Sequence, residues 1–345
     1  MAEEKVPKWL KDMIKVDIHC HMGGSIRIPT ILELADNYGI KLPATDEGSL
    51  KKLIIFKDRR NKSLEGYLQG ITICESVLVK PEAFERVAYE ICEDAHKENV
   101  KVFELRFGPT NYANGSLHLH EIMESTLSGL KRASDQFDMY TGLIVCGIRT
   151  DPKSTAMAAE VAANYHPFGV VGFDLAGKEQ GHRPKDFRDI IKPVKESMIP
   201  VTIHAGEDDT VESIAEAIQY LNAERIGHGI SLRQSSQILE FMNQTRKTIE
   251  SCCASNIDTG SVASYETHPI RVYYNQDLRV CVNTDNRTIS DTTITKEYMQ
   301  LMKYQGFTQD EIFHLGRHAI KGAFLQSHPT KELLKELDAY GKSFR

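Results

Sequence analysis

The sequence predicts an α/β fold, a single (β/α)₈ barrel of the TIM type with extra helices between its first and second strands. Three observations predict it. Eight short β-branched runs punctuate the chain at 16–21, 100–109, 141–149, 170–177, 200–207, 224–229, 248–256 and 278–286. Amphipathic stretches of helix length, such as HEIMESTLSGLKRASDQF and TVESIAEAIQYLNA, separate most of them. Strands that alternate with helices form a parallel sheet, and a count of eight favours a closed barrel over an open sheet. The length, 345 residues, suits one such unit, and with no repeat or Pro/Gly-rich linker the expectation is one domain over 1–345. The exception to the rhythm is the interval 22–99, too long for one crossover helix, which is expected to carry a lid over one barrel mouth.

Taken in order, nearly every run ends in polar or ionisable residues. These are His19 and His21, then Glu104 and Arg106, Asp174, His204 and Glu207, His228, and Asn283 and Asp285. In a barrel enzyme the C-terminal edge of the strands is where the active site is built. Residues i and i+2 of a strand share a face, so His19 and His21 point into the barrel while Cys20 points to the helices. His204 at the end of the fifth strand and Asp285 at the end of the eighth can converge on the same point. Three imidazoles and one carboxylate suit zinc, or less selectively another divalent metal. The same His-x-His spacing recurs at His118 and His120, but there it opens a helical segment, where capping or solvated roles are expected. Cys252 and Cys253 are expected to pack within the seventh strand.

Composition narrows the function further. Lys plus Arg total 42 against 48 Asp plus Glu, a net charge of −6 with no basic block, which argues against a nucleic-acid partner. The start MAEEKVPKWLKD is polar, and no apolar run approaches the roughly 20 residues of a membrane span, so a cytoplasmic protein is expected. Seven cysteines, an odd number mostly inside apolar runs, fit buried reduced thiols. A zinc site can supply hydroxide at neutral pH but needs one group to orient the water and another to protonate the leaving side. His228 in RIGHG is placed for the first task and Glu207 in HAGE for the second.

The motifs DIHCHMGGS, ELRFGP, GFDLAGKE, HAGE, RIGHG and VNTDN together resemble the adenosine deaminases of the metal-dependent amidohydrolase group, in order and spacing, from residue 7 to about 335. The resemblance implies one zinc ion per chain, held by His19, His21, His204 and Asp285, and hydrolysis of adenosine or 2′-deoxyadenosine to an inosine and ammonia. It implies that Glu207 protonates N1 of the purine and that His228 and Asp285 attend the attacking oxygen. It also implies that the Gly177 main chain meets N3, that Asn286 binds N7, and that Leu64, Tyr67 and Leu68 belong to an apolar helix closing over the substrate. Alternatives within the same chemistry are a 5′-substituted adenosine or free adenine. A zinc-binding barrel without turnover is disfavoured because Glu207, His228 and Asp285 are all present, and a two-metal hydrolase because the fourth strand, VVGFDLAG, has no bridging lysine.

One position departs from the family pattern. Gly23 stands where many members place an Asp that binds the ribose 5′-hydroxyl. The expectation is open volume beside the 5′ carbon, with Arg27 or a lid residue as the source of any replacement contact.

Overall fold

A computed structural model describes residues 5–56, 64–325 and 327–344. Eight parallel strands run in chain order: β1 (Lys15–His21), β2 (Val100–Phe107), β3 (Tyr140–Ile148), β4 (Val170–Ala176), β5 (Val201–Ala205), β6 (Arg225–His228), β7 (Thr248–Ser251) and β8 (Arg279–Val282). The sheet closes just beyond β8. His21 N–H donates to the Asp285 carbonyl at 2.6 Å, and Asp285 N–H donates to the His19 carbonyl at 2.8 Å. The barrel class and the eight strand positions agree with the sequence.

Two strand ends differ from expectation. β7 stops at Ser251, and Cys253 opens a short helix, Cys253–Asp258, so Cys253 packs in a helix and not in a strand. β8 stops at Val282, and Asp285 lies past it in left-handed backbone with φ 59°. Both differences shorten a run read as continuous strand, and both serve the site by turning polar residues over the barrel mouth.

The interval between β1 and β2 carries the extra helices that its length requires: Ile28–Tyr38, Glu47–Ile54, Leu64–Glu75 and Pro81–His96. Inside the barrel the strands present charge as well as bulk. Arg106 bridges Asp174 and Glu250, each at 3.0 Å, and Arg225 joins Glu104 at 2.6 Å and Glu250 at 2.5 Å, all of them buried. Buried charges persist only when paired, and here the pairing ties β2, β4, β6 and β7 together beneath the mouth. The apolar core lies between strands and outer helices. All seven cysteines are buried free thiols. Among the described residues no helix is long and apolar enough to cross a membrane.

Candidate active site

The C-terminal ends of the strands surround a cavity of about 410 Å³. His19 and His21 leave β1 two residues apart, His204 comes from β5, and Asp285 follows β8. Their atoms gather in one place. His21 Nε2 lies 3.2 Å from His204 Nε2 and 3.4 Å from Asp285 Oδ1, and His19 Nε2 lies 3.5 Å from the same oxygen. Two nitrogens on a tetrahedral zinc at 2.0–2.1 Å would stand about 3.3 Å apart, so the spacing fits. His19 Nε2 is buried and, among the described residues, has no hydrogen-bond partner, an orphan that a metal would satisfy. His228 also comes within ligand range of His19 and Asp285, but its other contacts, described below, give it different work.

Carboxylates behind the imidazoles set their orientation. Glu250 stands 2.7 Å from His19 Nδ1, and Asp174 stands 2.9 Å from His204 Nδ1. With Nδ1 donating to a carboxylate, Nε2 is left as the ligand atom, and such partners commonly fix ligand geometry. Burial drives His21 well below the ordinary histidine range and lowers His19 as well, holding both in the neutral form that metals bind. Burial alone would raise Asp285, yet His19, His21 and His228 hold it well below the carboxylate range. Asp285 is thereby kept as an anion.

Glu207 follows the end of β5 by two residues and lines the cavity. Its Oε1 accepts from Asn256 Nδ2 at 3.2 Å and Thr259 Oγ1 at 3.3 Å, and its Oε2 lies 3.4 Å from His228 Nε2. Burial raises its carboxyl above the ordinary range against the pull of His228. It is thus suited to hold a proton. The loop that carries it is fixed by Glu179, whose carboxylate accepts from the N–H groups of Gly206, Glu207 and Asp208 at 2.8, 2.8 and 3.1 Å, and from Ser213 Oγ at 2.8 Å.

The His228 tautomer follows from a chain of contacts. His268 Nε2 sits 3.2 Å from Asn256 Oδ1, which turns Asn256 Nδ2 toward His228 Nδ1 at 3.0 Å. Nδ1 therefore accepts, and the His228 proton is carried on Nε2, facing the cavity. His228 adopts φ 63°, a left-handed conformation that costs a non-glycine residue about 1–3 kcal/mol and gathers at functional sites. Its ring centre is 5.0 Å from those of His19 and His204.

The remaining predicted residues fall as follows. Gly177 lines the cavity with φ 89°, a conformation that favours glycine. Asn286 lines it too, and its buried Oδ1 has no hydrogen-bond partner among the described residues. Tyr67 and Leu68 face it from the helix Leu64–Glu75, Tyr67 buried and Leu68 exposed. Leu64 begins that helix, and its side chain lies outside the described residues. His118 and His120 are exposed at a helix start, where Glu121 accepts from the His118 N–H at 2.8 Å.

Gly23 borders the cavity, but the place its missing side chain would take is filled. A Cβ there would lie 2.0 Å from Glu75 Oε1, and one at Gly24 would lie 1.8 Å from Asn286 Oδ1. The glycine pair vacates two places, and a side chain from elsewhere fills each. Arg27 turns away to Asp94 at 2.6 Å and is not part of the cavity.

Sequence reasoning missed Glu179, Glu250, Asn256 and Glu75. For Glu250 a signal was present: it is an ionisable residue within the apolar run TIES, and the same alternation that placed His19 and His21 inward places it inward.

A cage of imidazoles and a carboxylate at the mouth of a parallel barrel, with a buried carboxyl beside it, defines a metal-dependent hydrolase. The adenosine deaminase family model matches residues 14–340. The chain is 36% identical over 326 residues to an adenosine deaminase of Clostridium botulinum, covering 94% of this chain and 98% of the relative. Its fold is similar to an adenine deaminase from Arthrobacter aurescens, with TM-score 0.90 at 23% identity over 96% of this chain and 99% of that one. It is also similar to a Burkholderia ambifaria amidohydrolase solved with bound Zn, with TM-score 0.88 at 19% identity over 99% and 96%. The chain belongs to the adenosine deaminase family and is a hydrolytic deaminase.

Proposed function

We propose that this enzyme hydrolyses the 6-amino group of adenosine or 2′-deoxyadenosine, taking up water and releasing ammonia and the corresponding inosine. One zinc ion per chain would be held by His19, His21, His204 and Asp285. When bound, zinc lowers the pKa of a coordinated water to about 7. The observation that carries this reading is the placement of Glu207 and His228, 3.4 Å apart, beside that donor set. Two groups with opposite duties toward one ring carbon need this arrangement.

Glu207, whose carboxyl burial biases toward its protonated form, delivers a proton to N1 and makes C6 electrophilic. His228 donates from Nε2 toward the attacking oxygen, and Asp285 accepts from that oxygen. Gly177 brings main chain against N3, and Asn286 reaches N7. Tyr67 and Leu68, with Leu64 at the head of their helix, cover the base. The protein is read as one domain over 1–345 in the cytoplasm. Its net charge of −6 supports a small purine nucleoside, and not a nucleic acid or a membrane surface, as its partner.

The test follows the loss of the adenine ultraviolet band with adenosine, 2′-deoxyadenosine, adenine and adenosine monophosphate, alongside metal analysis of the purified chain. Nucleosides turned over at least tenfold more efficiently than free adenine, with one zinc per chain, are expected. Full activity in protein free of metal would sink the assignment.

A further inference from the structure

The place vacated by Gly23 is occupied by the carboxyl of Glu75, the last residue of the helix Leu64–Glu75. A Cβ at residue 23 would meet Glu75 Oε1, Cδ and Cγ at 2.0, 2.7 and 2.7 Å, so the two positions compete for one volume. Glu75 lines the same cavity as His21, Gly23, Asn286 and Asp285. Its Oε1 accepts from Tyr112 Oη at 2.6 Å, a bond that fixes the side chain. Among the described residues Oε2 has no hydrogen-bond partner, and burial raises the carboxyl above its ordinary range.

A partly buried carboxyl drawn to a cavity wall, anchored by one oxygen and without a protein partner on the other, offers an acceptor to whatever fills the cavity. With C6 of the purine at the His/Asp cluster, N1 at Glu207 and N7 at Asn286, the base is pinned on those sides. The groups left to meet it lie on the sugar.

We infer that Glu75 is a specificity residue, whose free carboxylate oxygen accepts a hydrogen bond from the 5′-hydroxyl of the nucleoside. This rests on the deaminase reading above and deepens it. The substrate class is a purine nucleoside with a free 5′-hydroxyl, and 5′-deoxy or 5′-methylthio analogues are rejected, because they leave the carboxylate unpaired. The reader of the hydroxyl reaches in from the lid helix and not from the strand that carries the first two histidines. The glycine at 23 is what admits it.

The experiment measures kcat/KM for adenosine and 5′-deoxyadenosine in wild type, Glu75→Ala, Gly23→Asp and the double variant, with zinc content of each. Wild type should prefer adenosine by about 10²–10⁴-fold. Glu75→Ala should lose most of that factor on adenosine while 5′-deoxyadenosine stays within about threefold, since that substrate never made the bond. Gly23→Asp alone should lose activity on both, because two carboxyls contend for one place. The double variant returns a carboxylate to the vacated volume and should recover the preference to within about tenfold of wild type.

Equal efficiency on both substrates in wild type overturns the role of Glu75 and leaves the deaminase reading standing. So does an equal loss on both in Glu75→Ala with no recovery in the double variant, the mark of a packing role. Turnover of no purine nucleoside overturns the deaminase reading, and this inference with it.

Discussion

The two ends of the cavity are built differently. At the histidine end, His19, His21, His204 and Glu207 sit on or next to strands, and buried carboxylates back three of them, Glu250 behind His19, Asp174 behind His204 and Glu179 behind the Glu207 loop. At the other end, where the sugar of the proposed substrate would lie, Tyr67, Leu68 and Glu75 share one helix that lines the mouth. Chemistry that needs atoms held within a few tenths of an ångström is placed on the sheet, whose hydrogen bonds do not yield. On the function proposed above, selection among substrates falls to an added element. The difference teaches that variants at the first end should act on kcat for every substrate, and variants at the second on KM or on the choice of substrate.

The largest effects are expected at the histidine end. Chelation should abolish turnover of all substrates, and zinc should restore it, because the ligand set has no other occupant for the His19 Nε2 orphan. Glu207→Gln should keep the metal and lose about 10²–10⁴-fold in kcat, since an amide cannot deliver the N1 proton. In wild type, kcat/KM should fall as pH rises through the raised Glu207 pKa, because the form lost is the proton-bearing one. A Glu207→Gln enzyme with wild-type kcat would remove the acid from the mechanism.

Next in size is Glu179. Its carboxylate gathers three successive N–H groups and one hydroxyl under Glu207. An amide in its place turns a donor toward donors. Glu179→Gln should lower kcat by about 10–100-fold, as a misplacement of near 1 Å does, with KM little changed and zinc retained. If KM rises and kcat holds, the division between the two ends is drawn in the wrong place.

What was legible in the sequence divides along the same line. His19, His21, His204, Glu207, His228 and Asp285 could be found because strand period and strand ends report which side chains meet at a barrel mouth. The backing residues could not be paired from period alone. His19 and Glu250 are 231 residues apart, and no local pattern joins a strand to the far side of its own closure. The turns after β7 and β8 were hidden for a related reason. TIESCCASN and LRVCVNTDN read as unbroken strand, and only the closing contacts of Asp285 with β1 and the helix bearing Asn256 end them. At Gly23 the sequence showed an absence. The space looked open because the residue that fills it lies 52 positions on, at the end of a helix whose register against the barrel no periodicity sets.

Asn286 joins the two ends and gives a smaller, pH-dependent effect. N7 of a purine accepts, so its partner must donate, and an amide donates at any working pH. Asn286→Asp donates only while protonated. Its KM should therefore rise with pH while that of wild type stays flatter, burial at this position favouring the protonated form of the new carboxyl at lower pH. Parallel KM profiles for the two proteins would take Asn286 off N7.

The smallest expected effect tests the lid itself. Tyr67 Oη is 2.9 Å from Ser290 Oγ, and Ser290 N–H donates to the Asn286 carbonyl at 3.0 Å, so the helix is latched to the segment that carries Asn286. The Tyr67 ring also packs edge-on against Phe56, with centroids 5.8 Å apart. Tyr67→Phe keeps that packing and removes only the latch. A single hydrogen bond of this kind is worth about 0.5–1.5 kcal/mol, which corresponds to a factor of about 2–10. That factor should be seen in KM, equally for adenosine and 5′-deoxyadenosine, because the latch closes the helix whatever the 5′ group is. The kcat should not move, since among the described residues no hydrogen bond joins Tyr67 to Glu207 or His228. A fall in kcat at constant KM would mean that the helix holds the reacting atoms as well as the sugar. The separation between a rigid chemical end and a selective covering end would then be false for this enzyme.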